Sequence, residues 1–257
     1  MRKLWLILAI CVAATLRPAG AVIIGADASA GAVPTIAGTG LSGSYYKLNT
    51  TYLTTMAQAI QMMAAAGGPT ATFTTTAICY PSCNIATVAD STSLSGYLGG
   101  NASGLTYTVP PSQLPTSLEH SAMTISGYIA IAQAGTYNFN LGSDDGAQLT
   151  IGNQVVIGDG VLHSFAISSG SATFTTAGLY AITIQYYENS GYTSLEFWGS
   201  DSSGNCTLGR CNNTAANNPF YLTVPGSTAV PEPGAVTTFL GGLAAAAWVR
   251  RKSRRAI

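Results

Sequence analysis

Between residues 120 and 200 apolar side chains recur at every second position, and this alternation restricts the chain more than any other feature. Met123, Ile125, Ile129 and Ile131 alternate with small or polar residues, and Tyr137, Phe139 and Leu141 do so after the turn at Ala134-Gly135. Leu149-Thr150-Ile151 and Val155-Val156-Ile157 flank Gly152-Asn153, a tight hairpin signal. Phe165 and Ile167 follow, then Tyr180, Ile182, Ile184 and Tyr186, and finally Leu195 and Phe197. Successive strand residues face opposite sides, so each segment offers one apolar face. Short strands of this kind at this spacing close as two packed antiparallel sheets. No alternation of strands with helices appears, and the pattern predicts an all-β antiparallel sandwich with one minor helix. That helix is expected where Tyr52, Met56, Ala59, Ile60 and Met63 recur at helical spacing before Gly67-Gly68-Pro69. Met62 and Met63 are read there as packing residues. Residues 84–119 read as loop-rich, broken by Pro110-Pro111 and Pro115.

Charge is segregated along the chain. Only 8% of the residues are charged, and eight of the ten basic ones lie at the two ends. The stretch between holds Lys47 and Arg210 against nine acidic residues from Asp27 to Asp201. Nucleic-acid backbones are held by clustered Lys and Arg, so a nucleic-acid partner is excluded. Arg2-Lys3 followed by the apolar run Leu4–Ala14, with small residues at Ala19-Gly20-Ala21, predicts a signal peptide over 1–21, removed by signal peptidase. Cys11 belongs to that run, and Ile10 before it does not suit a lipoprotein signal.

At the other end Val230, Pro231, Glu232 and Pro233 lead into residues 234–249, which carry no charge, and then the basic tail 250–257. The apolar run is slightly shorter than the roughly 20 residues that span a bilayer easily, and the basic tail would stay cytoplasmic. This predicts a C-terminal transmembrane helix. The order of motif, span and basic tail resembles the PEP-CTERM sorting signal of Gram-negative bacteria. The resemblance implies exosortase as the processing partner and an exported protein of the cell envelope or extracellular space, membrane-anchored before processing. Glu232 is then a recognition residue. The bland reading of the same segment is an ordinary membrane anchor.

The cysteines agree with export. Besides Cys11 there are Cys79, Cys83, Cys206 and Cys211. An even number in an exported chain points to two disulfides, local within each pair or joining the two segments. A zinc site is the weaker reading, since no histidine lies near either pair.

Several phrases, in order, resemble the PA14 domain: Gly40-Leu41-Ser42-Gly43-Ser44-Tyr45-Tyr46, Ile129–Phe139, Gly142-Ser143-Asp144-Asp145-Gly146-Ala147-Gln148-Leu149, Gly158-Asp159-Gly160 with His163, and Ala177–Gly191. The fit is poor over 48–118. The resemblance implies a PA14-like β-sandwich over 38–224, preceded by a linker at 22–37 and followed by a linker at 225–233. It also implies a site. In calcium-dependent PA14 lectins two consecutive aspartates joined by a cis peptide bind Ca²⁺, and a later loop adds an asparagine and backbone carbonyls. Asp144 and Asp145 match the aspartates and Asn189 the asparagine, with Gly191 and Thr193 as carbonyl ligands and Tyr192 as a sugar contact. Adjacent strand residues point to opposite faces, so two neighbouring carboxylates share one ion only where the backbone departs from a regular strand. Ca²⁺ takes six to eight oxygens, and open positions can accept vicinal sugar hydroxyls. The competing reading is that Ser143–Gly146 is a plain turn. Asp159-Gly160 is read as a turn, Glu188 as a helper of the site or a solvated loop carboxylate, and Trp198 as a stacking or core residue.

Catalysis is the weaker class. His120 and His163 are the only histidines, and Ser164 beside His163 does not make a triad. In glycosidases the PA14 domain is an accessory module, and no second domain remains for chemistry. The expected function is calcium-assisted binding of a glycan or exopolysaccharide, without enzymatic activity; the alternative is a structural biofilm-matrix protein that binds no specific sugar.

Overall fold

The computed structural model describes residues 20–84, 86–201, 203, 206–209 and 219–225. In chain order the elements are β1 (Val22–Ile24), β2 (Ser29–Gly31), β3 (Leu41–Lys47), α1 (Met56–Ala65), β4 (Ala71–Thr75), β5 (Cys79–Tyr80), β6 (Val88–Ala89), α2 (Leu94–Leu98) and β7 (Ala102–Tyr107). Then follow β8 (Ser121–Ile131), β9 (Gly135–Asp144), β10 (Ala147–Ile151), β11 (Gln154–Asp159), β12 (Ala166–Phe174), β13 (Gly178–Glu188), β14 (Tyr192–Ser200), β15 (Cys206–Gly209) and β16 (Phe220–Tyr221).

They form two sheets. One runs β1-β12-β9-β14-β15 with β5 and β6 paired along β14, and the other runs β11-β10-β13-β8-β3-β4-β7 with β16 and β2 added to β8 and β13. Every pairing is antiparallel except β1 with β12. The alternation explains the packing. Met123, Ile125, Ile129 and Ile131 of β8, Tyr180, Ile182, Ile184 and Tyr186 of β13, Tyr137, Phe139 and Leu141 of β9 and Leu195 and Phe197 of β14 all enter one core between the sheets. Phe139 stacks on Phe197 with ring centroids 6.1 Å apart, and Phe174 meets Tyr180 at 4.8 Å. The predicted hairpin closes at Gly152-Asn153, where both residues have positive φ, 54° and 66°.

The helix is α1, capped by the Thr55 hydroxyl on the Gln58 amide. Its buried residues Met56, Ala59 and Met63 pack with Ala122 of β8 and Tyr187 of β13, on the outer side of the second sheet. Tyr52 lies before the helix and is exposed. Residues 84–119 are less irregular than the prolines suggest, because β7 closes the edge of the second sheet and Leu94, Tyr97 and Leu98 of α2 join the core. The expected linker 22–37 is stitched into both sheets through β1 and β2, since Ile24 is an apolar side chain buried in the core. Ile167 does not face the core: its strand partner Gly142 lies opposite on β9, and Ile167 is exposed while Ala172 and Phe174 of the same strand turn inward.

Cys79 and Cys83 form a disulfide, selecting the local pairing at this end of the chain. Of Cys206 only the backbone in β15 is described, and Cys211 lies outside the described residues, as do Val230, Pro231, Glu232 and Pro233, the apolar run 234–249, the tail 250–257 and, apart from Gly20 and Ala21, the signal peptide. Among the described residues no helix is long and apolar enough to cross a membrane.

Candidate functional site

Three links pass from one sheet to the other at the same end of the sandwich. Asp144-Asp145-Gly146 joins β9 to β10, residues 160–165 join β11 to β12, and Asn189–Gly191 joins β13 to β14. The register brings them side by side. Ser194 pairs with Asp144, Tyr186 with Ala147, and Ala166 with Ser143. Residues more than forty positions apart therefore meet because strand order, not sequence, sets their distance.

The peptide between Asp144 and Asp145 is cis. Asp144, Asp145 and Glu188 are all buried, and each offers a carboxylate oxygen within 4.8 Å of the others. Three anions this close repel: at an effective dielectric of 20, each ionised pair costs roughly 3 kcal/mol. Burial, then the Asp145 charge, pushes the Asp144 carboxyl up to about 6. Burial likewise raises Asp145, against the lowering effect of amide hydrogen bonds from Asn189, His163 and Ser190. Glu188 is pushed up to about 9, first by burial and then by Asp145. Among the described residues no Lys or Arg relieves this charge. Lys47, the sole Lys or Arg of the described residues, spends its ammonium on Ser117 and the Glu119 carbonyl.

A network fixes the cluster from beneath. The Tyr186 hydroxyl donates to the Asp144 carbonyl, lies 3.0 Å from Glu188 Oε2 and 2.7 Å from the Thr193 hydroxyl. Glu188 Oε1 is buried without a hydrogen-bond partner. A buried carboxylate oxygen left so is costly unless a proton or a cation meets it.

Asn189 ties the parts together. Its amide donates to Asp145 Oδ2 at 2.8 Å, its carbonyl accepts from the His120 amide, and its side-chain oxygen accepts from the Leu53 amide at 2.8 Å. The structure brings Asp144, Asp145 and Asn189 together, with the Asn189 side-chain oxygen, expected as an ion ligand, accepting from the Leu53 amide. Gly191 and Thr193, expected to offer backbone carbonyls, make other contacts. The Gly191 carbonyl accepts from the Asp90 amide at 2.9 Å while its own amide donates to Asp90 Oδ2 at 2.6 Å, and Thr193 is buried with its hydroxyl on Tyr186. Tyr192, paired with Ala89, leaves its ring exposed. Trp198 lies on the face of β14 opposite Leu195 and Phe197, half-buried, across from Asn140. Asp159 ends β11, accepts from Ser168 and lies 3.3 Å from His163 Nε2.

The reading of Glu188 as a solvated loop carboxylate is corrected: it is the innermost member of the cluster. Two further contributors have no counterpart in the sequence reading, Asp90 and the segment Thr50–Leu53. Both come from the stretch that fits the PA14 pattern poorly. The donor set suits a hard cation. Carboxylate oxygens in number, one lacking any partner, are the ligands Ca²⁺ takes and a zinc site built on Cys and His does not offer.

The family model for the PA14 domain matches residues 109–227. No curated protein matches the chain. Two solved structures share the fold with a TM-score of 0.55 and 24% identity: the PA14 domain of the MpAFP antifreeze protein, over 67% of this chain and 87% of that one, and a PA14 sugar-binding domain from an RTX adhesin, over 66% and 94%. Residues 109–227 carry the PA14 pattern, and the sandwich has the PA14 fold.

Proposed function

We propose that the chain is an exported, non-enzymatic surface or matrix protein that binds carbohydrate with the help of calcium at the Asp144-Asp145-Glu188 cluster. The carrying observation is the trio of buried carboxylates within 4.8 Å at the crossing end of a PA14 fold, with Glu188 Oε1 unpartnered and, among the described residues, no lysine or arginine beside them. Asp144, Asp145 and Glu188 would hold the ion, with Asn189 locking Asp145 in place. A bound calcium supplies a positive centre for sugar hydroxyl oxygens. The sugar-binding description of the RTX adhesin domain supports the ligand class. The disulfide at Cys79–Cys83 suits an oxidising compartment. In the same proposal the signal peptide directs export, and exosortase acts at the sorting motif Val230–Pro233 once the apolar run has anchored the chain. His163 is read as non-catalytic, because its Nδ1 contacts the Ser164 carbonyl and its Nε2 faces Asp159.

Calorimetry of the full chain tests this reading. Saturable calcium binding, followed by sugar binding that chelation removes, supports it. No calcium binding at millimolar concentration sinks it and leaves the structural matrix role.

Asp90 positions the calcium-side loop through two hydrogen bonds to Gly191. Its carboxylate bond is charge-assisted, worth about 1–2 kcal/mol at a half-buried site. Asp90→Ala is expected to weaken calcium binding roughly tenfold, whereas Asp90→Asn, which keeps an acceptor, recovers most of it. Equal losses in both variants would show that Asp90 acts through charge and not through the loop.

A further inference from the structure

Among the described residues only two aromatic side chains are exposed, Tyr52 at 57% and Tyr192 at 61%. Both stand on segments bonded to the acid cluster. Tyr192 lies three residues beyond Asn189 and its backbone is fixed by pairing with Ala89. Tyr52 precedes Leu53, whose amide donates to Asn189 Oδ1 at 2.8 Å. The Tyr52 main chain is held as firmly: its amide donates to the Thr50 hydroxyl, and its carbonyl accepts from Thr50 and from the Gln58 side chain at 3.0 Å. A fixed backbone beneath an exposed ring is pre-organised to pack on a ligand, because little ordering entropy is lost on contact. Every other large aromatic of the sandwich is at least partly covered, so the placement of these two is not a general property of the surface. Val161, 59% exposed, bridges Thr55 and adds apolar surface from the crossing link 160–165.

We propose that Tyr52 and Tyr192 are the apolar walls of the ligand site, and that their occupant is a pyranose ring whose hydroxyls face the carboxylate-held ion while its C–H face packs on Tyr52. This rests on the calcium-assisted glycan reading above and adds to it the residue that selects the ring. Carboxylates and aromatic faces together match a sugar, which is polar at its rim and apolar on its faces. A free divalent ion needs no aromatic wall. Tyr52 belongs to the Thr50–Leu53 segment outside residues 109–227, so the wall is a feature of this chain's own insertion.

The test uses the full chain, calcium, and methyl α-mannopyranoside and methyl β-galactopyranoside as probes. Wild type is expected to bind at least one of them when loaded with calcium. Tyr52→Ala should lower that affinity about tenfold and leave calcium affinity within twofold of wild type, and Tyr52→Phe should restore sugar binding. Unchanged sugar affinity in Tyr52→Ala overturns the proposal while leaving the calcium reading intact. Loss of calcium binding in Tyr52→Ala also overturns it, since Tyr52 would then act only by holding Leu53 on Asn189. A change in sedimentation of the calcium-loaded chain without any change in sugar affinity would assign the rings to self-association instead. Binding of neither sugar by calcium-loaded wild type at 20 mM, a level on the order of the weakest specific affinities, removes the glycan reading and this proposal with it.

Discussion

Asp145→Asn is expected to abolish saturable calcium binding and, in the absence of the ion, to raise the melting temperature. The two effects have one cause. Asp145 is buried within 4.8 Å of Asp144 and Glu188, and its charge is among the causes that raise the pKa of both. Removing it deletes two of the three repulsive pairs in the ion-free protein, each worth roughly 3 kcal/mol when both partners are ionised. Partial protonation of Asp144 and Glu188 already relieves much of this, so a net gain on the order of 1–2 kcal/mol is expected, a rise of roughly 2–8 °C for a domain of this size. Asparagine keeps an oxygen for the Asn189 amide, so the loop does not collapse. The cation loses a central carboxylate, and calcium affinity should fall more than a hundredfold. Thermal melts with and without calcium at about 10 mM, roughly 100 times a Kd on the order of 0.1 mM as in extracellular calcium modules, read both effects. Wild type should be stabilised by the ion by about 3 kcal/mol and the variant not at all. An ion-free variant that melts lower than wild type while still responding to calcium would show that the carboxylates serve the fold, not a cation.

How much of this was legible beforehand divides along physical lines. The sandwich was, because a buried face imposes a period of two that no local preference can hide, and Met123 through Phe197 keep it in β8, β9, β13 and β14. The same parity contained Glu188. Ile182, Ile184 and Tyr186 face inward, and continuing the count places Glu188 inward as well, beneath Asp144; its position at the end of a strand made a solvated loop look equally natural. Residues 22–24 and 102–107 were hidden for another reason. Three or six residues paired at an edge show too few alternations to register as strands, and their pairing depends on partners far along the chain. Asp90 and Thr50–Leu53 were unreadable in the strict sense. Asp90 reaches Gly191 through its carboxylate and its amide, and Leu53 reaches the Asn189 side chain through its amide; one Asp among loop residues and one main-chain donor do not announce such distant partners.

The pH response of the ion-free protein should run opposite to that of most exported domains, whose paired carboxylates make them stronger as acid is removed. A carboxyl with a raised folded-state pKa binds its proton more tightly when folded, so its contribution is fully present below the unfolded value near 4 and lost as pH rises through the folded one. Asp144, at about 6, and Glu188, at about 9, both have this sign. Between pH 5 and 7.5 Glu188 alone should cost on the order of 3 kcal/mol, and the ion-free melting temperature should fall across that window by roughly 5–10 °C. Calcium reverses the slope. The ion requires ionised ligands, so its affinity rises with pH, first as Asp144 loses its proton around 6. At pH 7.5 Asp144 is largely ionised but Glu188 still holds its proton, and coordination by Glu188 must expel it. Calorimetry in buffers of different ionisation enthalpy should therefore count close to one proton released per calcium, and Glu188→Gln should bring that number near zero. A melting temperature that climbs from pH 5 to 7.5 without calcium, together with no proton release on binding, would place Glu188 outside the ion's reach and reduce the site to the aspartate pair.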